Sequence, residues 1–319
     1  MKVIVLDSFL KQKHIDLIKK TADEVGAEVL FTGSEDSISE EFKDAEVLYG
    51  FGVKTAATSK SLKWLCFTSA GVESMLRPGA FANEECILTN SSGSYGVSIA
   101  EHIIAVSLMM MRKMTYNYAL ALKGVWGERL PQRSLKGARI TVLGTGDIGG
   151  CFAVRARAFE PAGLVGVSRS GRSECPVFDR VLKVEALDEV LPETDLLVMS
   201  LPDTAETRGI LSRERINRLH EGAFIVNVGR GSAIDEEALA DALEAEHLGG
   251  AALDVFVKEP LPEDSRLWKT KNLLITPHVA GNLTVDYTVD KNVEMFCEDL
   301  LNYAAGRPLH YLVDKQRGY

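Results

Sequence analysis

The 319-residue sequence lacks a long hydrophobic run, a block of basic residues and any closely spaced pair of cysteines. Its longest apolar stretch, residues 103–111, is far shorter than the roughly 20 residues that span a bilayer, so no membrane association is expected. Formal net charge is −9 and the isoelectric point is near 5.3, which excludes nucleic acid as the expected partner, because nothing basic offsets the acidic surface. A local pocket can still hold a small anion against the global sign. The five cysteines are scattered, odd in number and without a C-x-x-C pair, and the six histidines show no zinc spacing. Reduced thiols are expected, with Cys66 and Cys151 read as core, and no metal is expected. Met1 runs directly into strand-like residues 2–7, without the basic, apolar and small-residue order of a signal peptide. A soluble, cytoplasmic protein is the expectation.

What the chain has is alternation. With 46% hydrophobic residues it is long enough for two cores. In the first quarter, residues 2–7, 28–32, 47–49, 64–68 and 87–89 read as short apolar strands, with an amphipathic helix over 14–25 ending at Gly26. Such alternation predicts a parallel sheet covered by helices. At Ser98-Ile99-Ala100-Glu101 a capping box opens a helix with Ile99, Ile103, Val106 and Met110 on one face, continuing to about Leu122 before Gly124 and crossing between domains. The Met109–Met111 run reads as core or subunit contact, and His102 as a packed polar residue.

From residue 139 the pattern is regular. Strands are expected at 139–143, 163–168, 195–201, 223–228, 250–255 and 273–276, with Asp235 capping a helix that carries Leu239 and Leu243 and ends at Gly249. The first of these strands enters Gly144-Thr145-Gly146-Asp147-Ile148-Gly149, a Gly-x-Gly-x-x-Gly turn. In that context Gly144 serves the tight turn, Gly146 the close approach of a pyrophosphate and Gly149 helix packing. The crossovers put every strand's carboxyl end on one edge. Those ends read Leu201-Pro202-Asp203-Thr204, Val228-Gly229-Arg230-Gly231, Asp254 with Glu259, and Pro277-His278-Val279-Ala280-Gly281. They supply a guanidinium, a carboxylate and an imidazole. Carbonyl reduction needs a proton donor for the oxygen that gains charge, and a 2-keto acid needs a fixed cation for its carboxylate.

This ordered set, with Ser69-Ala70-Gly71-Val72-Glu73 earlier, resembles the D-isomer-specific 2-hydroxyacid dehydrogenase family over essentially the whole chain. The resemblance implies α/β architecture with two doubly wound parallel-sheet domains. One is a Rossmann-type dinucleotide-binding domain over 98–283; the other is a smaller, flavodoxin-like substrate-binding domain built from 1–97 and 284–319. It implies that Arg230 binds and polarises the substrate, that His278 is the acid/base, and that Glu259 hydrogen-bonds His278 and raises its pKa. Asp254 would hold the nicotinamide carboxamide, with Leu201, Pro202, Thr207, Val228, Gly229, Ala280 and Gly281 completing the cofactor groove around Gly144, Gly146, Asp147, Ile148 and Gly149. The amides of Gly71 and Val72, with Ala70, would cradle the substrate carboxylate beside Phe51 and Gly52. Tyr287 and Trp268 are further candidates for the pocket, with plain packing equally open for them and for Phe51. The stripe Val289, Val293, Phe296, Leu300 fits the closing helix of the split domain, with Leu309 and Leu312 as docking anchors. A homodimer through region 98–138 is implied.

One departure bears on the cofactor. Domains of this type carry an acid at the end of the second strand for the ribose hydroxyls. Here the chain reads Ser168-Arg169-Ser170-Gly171-Arg172. Arg169 and Arg172 could bind a 2′-phosphate, with the hydroxyls of Ser168 and Ser170 assisting, so NADP is expected over NAD; the alternative is that Arg169 stacks on the adenine and either is accepted. The expected reaction is reduction of a small 2-keto acid, such as glyoxylate or hydroxypyruvate, to the D-hydroxy acid. Nothing resembling an appended regulatory domain or an extra cation at 50–52 for a substrate phosphate is seen, which weighs against a phosphoglycerate enzyme. The competing class is a dinucleotide-sensing, corepressor-like protein with the same fold and negligible turnover.

Overall fold

A computed structural model describes residues 1–6 and 8–315; Asp7, at the end of the first expected strand, and the last four residues of the expected substrate-binding domain lie outside the described residues. The chain divides into two compact units, one of Met1–Tyr95 with the segment from Asn282 onward, the other Gly96–Gly281.

In the smaller unit, β1 (Lys2–Leu6), α1 (Gln12–Glu24), β2 (Glu28–Thr32), β3 (Val47–Tyr49), α2 (Val53–Thr58), β4 (Trp64–Cys66) and β5 (Ile87–Thr89) come in that order. Among the described residues the sheet runs β2-β1-β3-β4-β5, all parallel, the flavodoxin-like order. Strands β3 and β4 are buried throughout, because helices cover both faces and no polar alternation is needed. One face is closed by the C-terminal helix Asp286–Ala304, whose Val289, Val293, Phe296 and Leu300 are all buried, as their spacing predicts. Phe296 anchors it, 4.5 Å from the Tyr49 ring and 5.6 Å from that of Trp64 between centroids. Of the two expected tail anchors, Leu309 is buried but Leu312 is 54% exposed. Leu312 pairs through its backbone with Thr89, so its side chain turns outward and Val313 takes the buried place.

The larger unit continues with α3 (Gly96–Met111), α4 (Met114–Ala121), β6 (Arg139–Leu143), α5 (Asp147–Arg157), β7 (Gly163–Ser168), β8 (Arg180–Lys183), α6 (Leu187–Val190), β9 (Leu196–Met199), α7 (Arg213–Arg218), β10 (Phe224–Asn227), α8 (Glu236–Glu244), β11 (Gly250–Leu253) and β12 (Leu273–Ile275). Its strand order is β12-β11-β10-β9-β6-β7-β8, all parallel, reversing direction at β6 as in a Rossmann domain. Asp235 caps α8 by accepting from the Ala238 amide at 2.9 Å.

Several sequence expectations change. The helix expected from Ser98 starts at Gly96, so Ser98 sits inside it; it breaks at Lys113, which is left-handed at φ +53°, and lies wholly within the larger unit. Its apolar face does hold, since Ile99, Ile103, Val106 and Met110 are buried. Beyond the break α4 buries none of its residues, so no core contact enforces a continuous helix. Strand β8, at the sheet edge, escapes sequence reading because Arg180 and Lys183 bracket only two apolar residues. Helix α8 ends at Glu244, with Glu246 left-handed at φ +57°, rather than at Gly249. Cys66 is buried, whereas Cys151 is only half-buried, with its thiol 3.6 Å from the Asp147 carboxylate.

Truncating Phe296 to Ala is expected to destabilise the protein by about 3–5 kcal/mol, as loss of a buried aromatic does, while Leu312→Ala stays within about 0.5 kcal/mol. Urea unfolding of both variants checks this; equal midpoints would refute the packing account.

Candidate active site

The cofactor cradle is set by backbone. Gly144 adopts φ +100°, which a side chain would strain, and a Cβ on Gly149 would lie 1.9 Å from the Gly144 carbonyl. Gly146 differs: a Cβ there would meet nothing within 4 Å, leaving open space over the first turn of α5. A glycine turn leading from a strand into a helix N-terminus, open on its outer side, fits the pyrophosphate of a dinucleotide. The adjacent Asp147 carboxylate lies against Gly96, the first residue of α3, and Ile148 is half-buried beside it. At the end of β7, Arg169 and Ser170 are exposed. The Ser168 hydroxyl donates to the Arg172 carbonyl at 3.0 Å, and Ser168 and Ser170 both lie within reach of the Arg172 amide, at 3.2 and 3.3 Å. The serines therefore shape the turn that presents the arginines.

Past β9, Thr207 closes the Leu201–Pro202 loop by donating to the Pro202 carbonyl at 2.6 Å. Asp203 accepts two bonds from Arg208 (2.8 and 3.0 Å) and one from Ser232 (2.8 Å). Arg208 holds this carboxyl below the usual carboxylate range, against the opposing effect of burial. After β10, the Val228 amide donates to Met199, and a Cβ on Gly229 would strike Leu201. Arg230 is next, its guanidinium donating to the Gly229 carbonyl at 2.7 Å.

The imidazole and the carboxylate meet as expected. His278 Nδ1 lies 2.7 Å from Glu259 Oε2, while Glu259 Oε1 accepts from the Phe256 amide at 2.9 Å. Both side chains are part-exposed, leaving His278 Nε2 on the outer side of the pair. Beside them Glu236 accepts from the Val257 amide at 2.7 Å, its carboxyl pushed up by burial. His278 itself is left-handed at φ +53°, a conformation that costs on the order of 1 kcal/mol for a residue with a side chain.

Asp254 holds that conformation. It is 3% exposed; one oxygen accepts from Thr276 Oγ1 (2.6 Å) and the Val279 amide (2.9 Å), the other from the Ala280 amide (2.9 Å). Its backbone carbonyl takes the His278 amide at 2.8 Å. The sequence assigns Asp254 to the cofactor alone; three donors within one loop are not legible from spacing. Gly281 comes after Ala280 at the unit's end.

On the smaller unit, the Ser69–Val72 segment lies just past β4. The amides of Gly71 and Val72 serve no acceptor among the described residues, and the Ala70 carbonyl is held by Asn90 Nδ2 at 3.0 Å. Asn90 escapes sequence reading because nothing marks a loop amide as a brace. Gly52 is the N-cap residue of α2, and Phe51 is 47% exposed, edge-on to Phe67 at 5.1 Å. Trp268 and Tyr287 are about half exposed.

A family model described as the NAD-binding domain of D-isomer specific 2-hydroxyacid dehydrogenases matches residues 104–280. The chain belongs to that family of NAD(P)-dependent enzymes. It is 30% identical to a glyoxylate/hydroxypyruvate reductase A of Citrobacter koseri, over 82% of this chain and 83% of that one. Among solved structures, a D-isomer specific 2-hydroxyacid dehydrogenase family protein from Aeromonas salmonicida superposes with a TM-score of 0.86 at 31% identity, covering 98% and 99% of the two chains. An NADPH-dependent glyoxylate/hydroxypyruvate reductase from Sinorhizobium meliloti, in complex with NADP and sulfate, gives 0.80 at 26% identity, covering 100% and 99%. Among the described residues no helix is long and apolar enough to cross a membrane.

Proposed function

We propose that the protein reduces a small 2-keto acid of the glyoxylate or hydroxypyruvate type to its D-2-hydroxy acid, with NADPH as the preferred reductant. The observation that carries the reading is the His278–Glu259 pair at 2.7 Å, with Arg230 at a neighbouring strand end of the same sheet. A bound nicotinamide would supply the hydride. His278 engages Glu259 through Nδ1, so a proton on Nε2 is the one available to the oxygen that gains charge. Glu259, fixed by the Phe256 amide, orients the ring and balances its positive charge. Arg230 offers a planar cation to the keto acid, and its bond to Gly229 limits the freedom lost on binding. On the smaller unit, Phe51, Gly52 and the Ala70–Val72 segment are assigned to the substrate, with the Gly71 and Val72 amides for its carboxylate. In the larger unit the cofactor takes the Gly144–Gly149 turn, the loop of Leu201, Pro202 and Thr207, and the backbone at Val228, Gly229, Ala280 and Gly281. Asp254 is assigned to the nicotinamide carboxamide. Residues 98–283 thus serve the dinucleotide and carry Arg230, Glu259 and His278, and the remainder of the chain is assigned to the substrate.

The preference for NADPH is supported by the turn at 168–172, where two arginines stand and no acid does. Relatives named as using glyoxylate or hydroxypyruvate, one of them solved with NADP, support the substrate class. We further propose a homodimer through the 98–138 region. The support is the surface of α4 and of the residues just beyond it: no residue of the helix is buried, Tyr118 and Leu122 are largely exposed, and Trp126 is entirely so. Exposed apolar side chains in such number are what subunit contacts cover.

Three outcomes are expected. A panel of 2-keto acids with NADPH should show turnover that His278→Ala lowers by roughly 10²–10⁴-fold, the usual contribution of a general acid; cofactor binding without turnover of any acid would instead support the sensing role. Fluorescence titration should give tighter binding of NADPH than of NADH, and Arg169→Glu should reverse the order; an unchanged order removes Arg169 from the account. Light scattering should report a dimer, with Trp126→Glu shifting it toward monomer, whereas a monomeric wild type would overturn the contact.

A further inference from the structure

A histidine outside the assigned roles touches the bonding that holds the acid/base loop. His102 lies on α3, half-buried, with Nε2 3.4 Å from Thr276 Oγ1. Thr276 in turn lies 2.6 Å from Asp254 Oδ1, and Asp254 takes the amides of Val279 and Ala280. A hydroxyl has one hydrogen and an ionised carboxylate only accepts, so the Thr276 hydrogen points at Asp254. Its oxygen can then only accept from His102, which fixes the ring as the Nε2–H tautomer. Burial pushes the His102 pKa down, with Asp254 opposing, which suits a neutral donor.

We propose that His102 is a positioning residue for His278, acting through Thr276 and Asp254. The proposal rests on the assignment of His278 as the acid/base group. His278 occupies a left-handed conformation that must be enforced; its own amide is shared between the Asp254 and Thr276 carbonyls, and the Asp254 carboxylate holds the two amides after it. The carboxylate is aimed by Thr276, and the Thr276 hydroxyl rotor is aimed by His102. Without the ring N–H, the hydroxyl can rotate away from Asp254, and the Val279–Ala280 backbone loses its fixed acceptor. The consequence falls on the placement of His278 rather than on the Gly144–Gly149 turn, which uses none of these groups.

The test compares His102→Leu, His102→Gln and Thr276→Val in the full-length protein by hydrogen exchange of the peptide covering residues 276–281, alongside steady-state kinetics. His102→Leu should speed exchange of that peptide by about 3–10-fold, the size of one net hydrogen bond, and lower kcat to a similar extent, while exchange of the peptide covering residues 144–149 stays at the wild-type rate. His102→Gln keeps an N–H donor and should restore both. The His102→Leu/Thr276→Val double variant should be no worse than Thr276→Val alone, because the two act in series. Additive losses, or exchange at the wild-type rate in His102→Leu, would overturn the proposal. Should His102→Leu not fold, His102→Phe, which keeps a ring but has no N–H, decides it: faster exchange supports the relay, and exchange at the wild-type rate refutes it. If exchange responds while the wild type turns over no 2-keto acid, the proposed reaction fails and the positioning role stands.

Discussion

The buried carboxylate of Asp254 is the constraint on which the site depends. A charge removed from water is tolerated only when donors replace the water, and here three do so, all from the loop after β12. The same bonds hold Thr276 to Ala280 in one conformation and offset the cost of a left-handed His278. The direction of causation runs from the charge outward: the loop has this shape because the carboxylate must be satisfied, and the imidazole points at Glu259 because the loop has this shape. A shorter polar residue at 254 would leave the amides of Val279 and Ala280 without acceptors.

Parallel strands make such a loop possible. Each strand of the larger unit ends on the same edge, so residues separated by more than a hundred positions, from Gly144 to His278, arrive at one rim without a dedicated connection. The strands themselves carry no chemistry; β9, β10 and β11 are buried at every position. That division of labour explains why short loops such as Val228–Gly231 can be strict about side-chain size. A Cβ on Gly231 would collide with the Phe256 backbone, which brings the Arg230 loop hard against the segment leading to Glu259.

The same division decides what is legible in the sequence. Continuous apolar runs bounded by glycines and polar turns mark central strands, and the order of their ends puts Arg230, Glu259 and His278 in loops beyond the carboxyl edge of one sheet, where His278 and Glu259 meet. Edge strand β8 has too few apolar residues to register, and the break at Lys113 carries no glycine or proline to announce it. Both depend on what packs nearby rather than on local residues. Polar braces are hidden for a different reason. Thr276, His102 and Asn90 act through single hydrogen bonds to residues 22, 174 and 20 positions away, and no periodicity encodes such a contact. Leu312 shows the limit from the apolar side: the family resemblance suggests two anchors, but one backbone bridge to Thr89 exchanges Leu312 for Val313.

The turn after β7 carries serines and arginines where a domain of this type commonly has an acid. An acid in such a turn would accept from two ribose hydroxyls and repel a phosphate; here the hydroxyl of Ser168, the last residue of β7, is tied to the Arg172 backbone. The tie matters because arginine side chains are costly to order, and a turn already closed by Ser168 and Ser170 leaves only the arginines themselves to immobilise. Arg169 also feels Glu206, whose carboxyl is held below its usual range chiefly by local hydrogen bonds, with Arg169 adding to them. A 2′-phosphate approaching Arg169 would therefore compete with Glu206, so the loop after Pro202 belongs to the same electrostatic balance as the turn at 168–172.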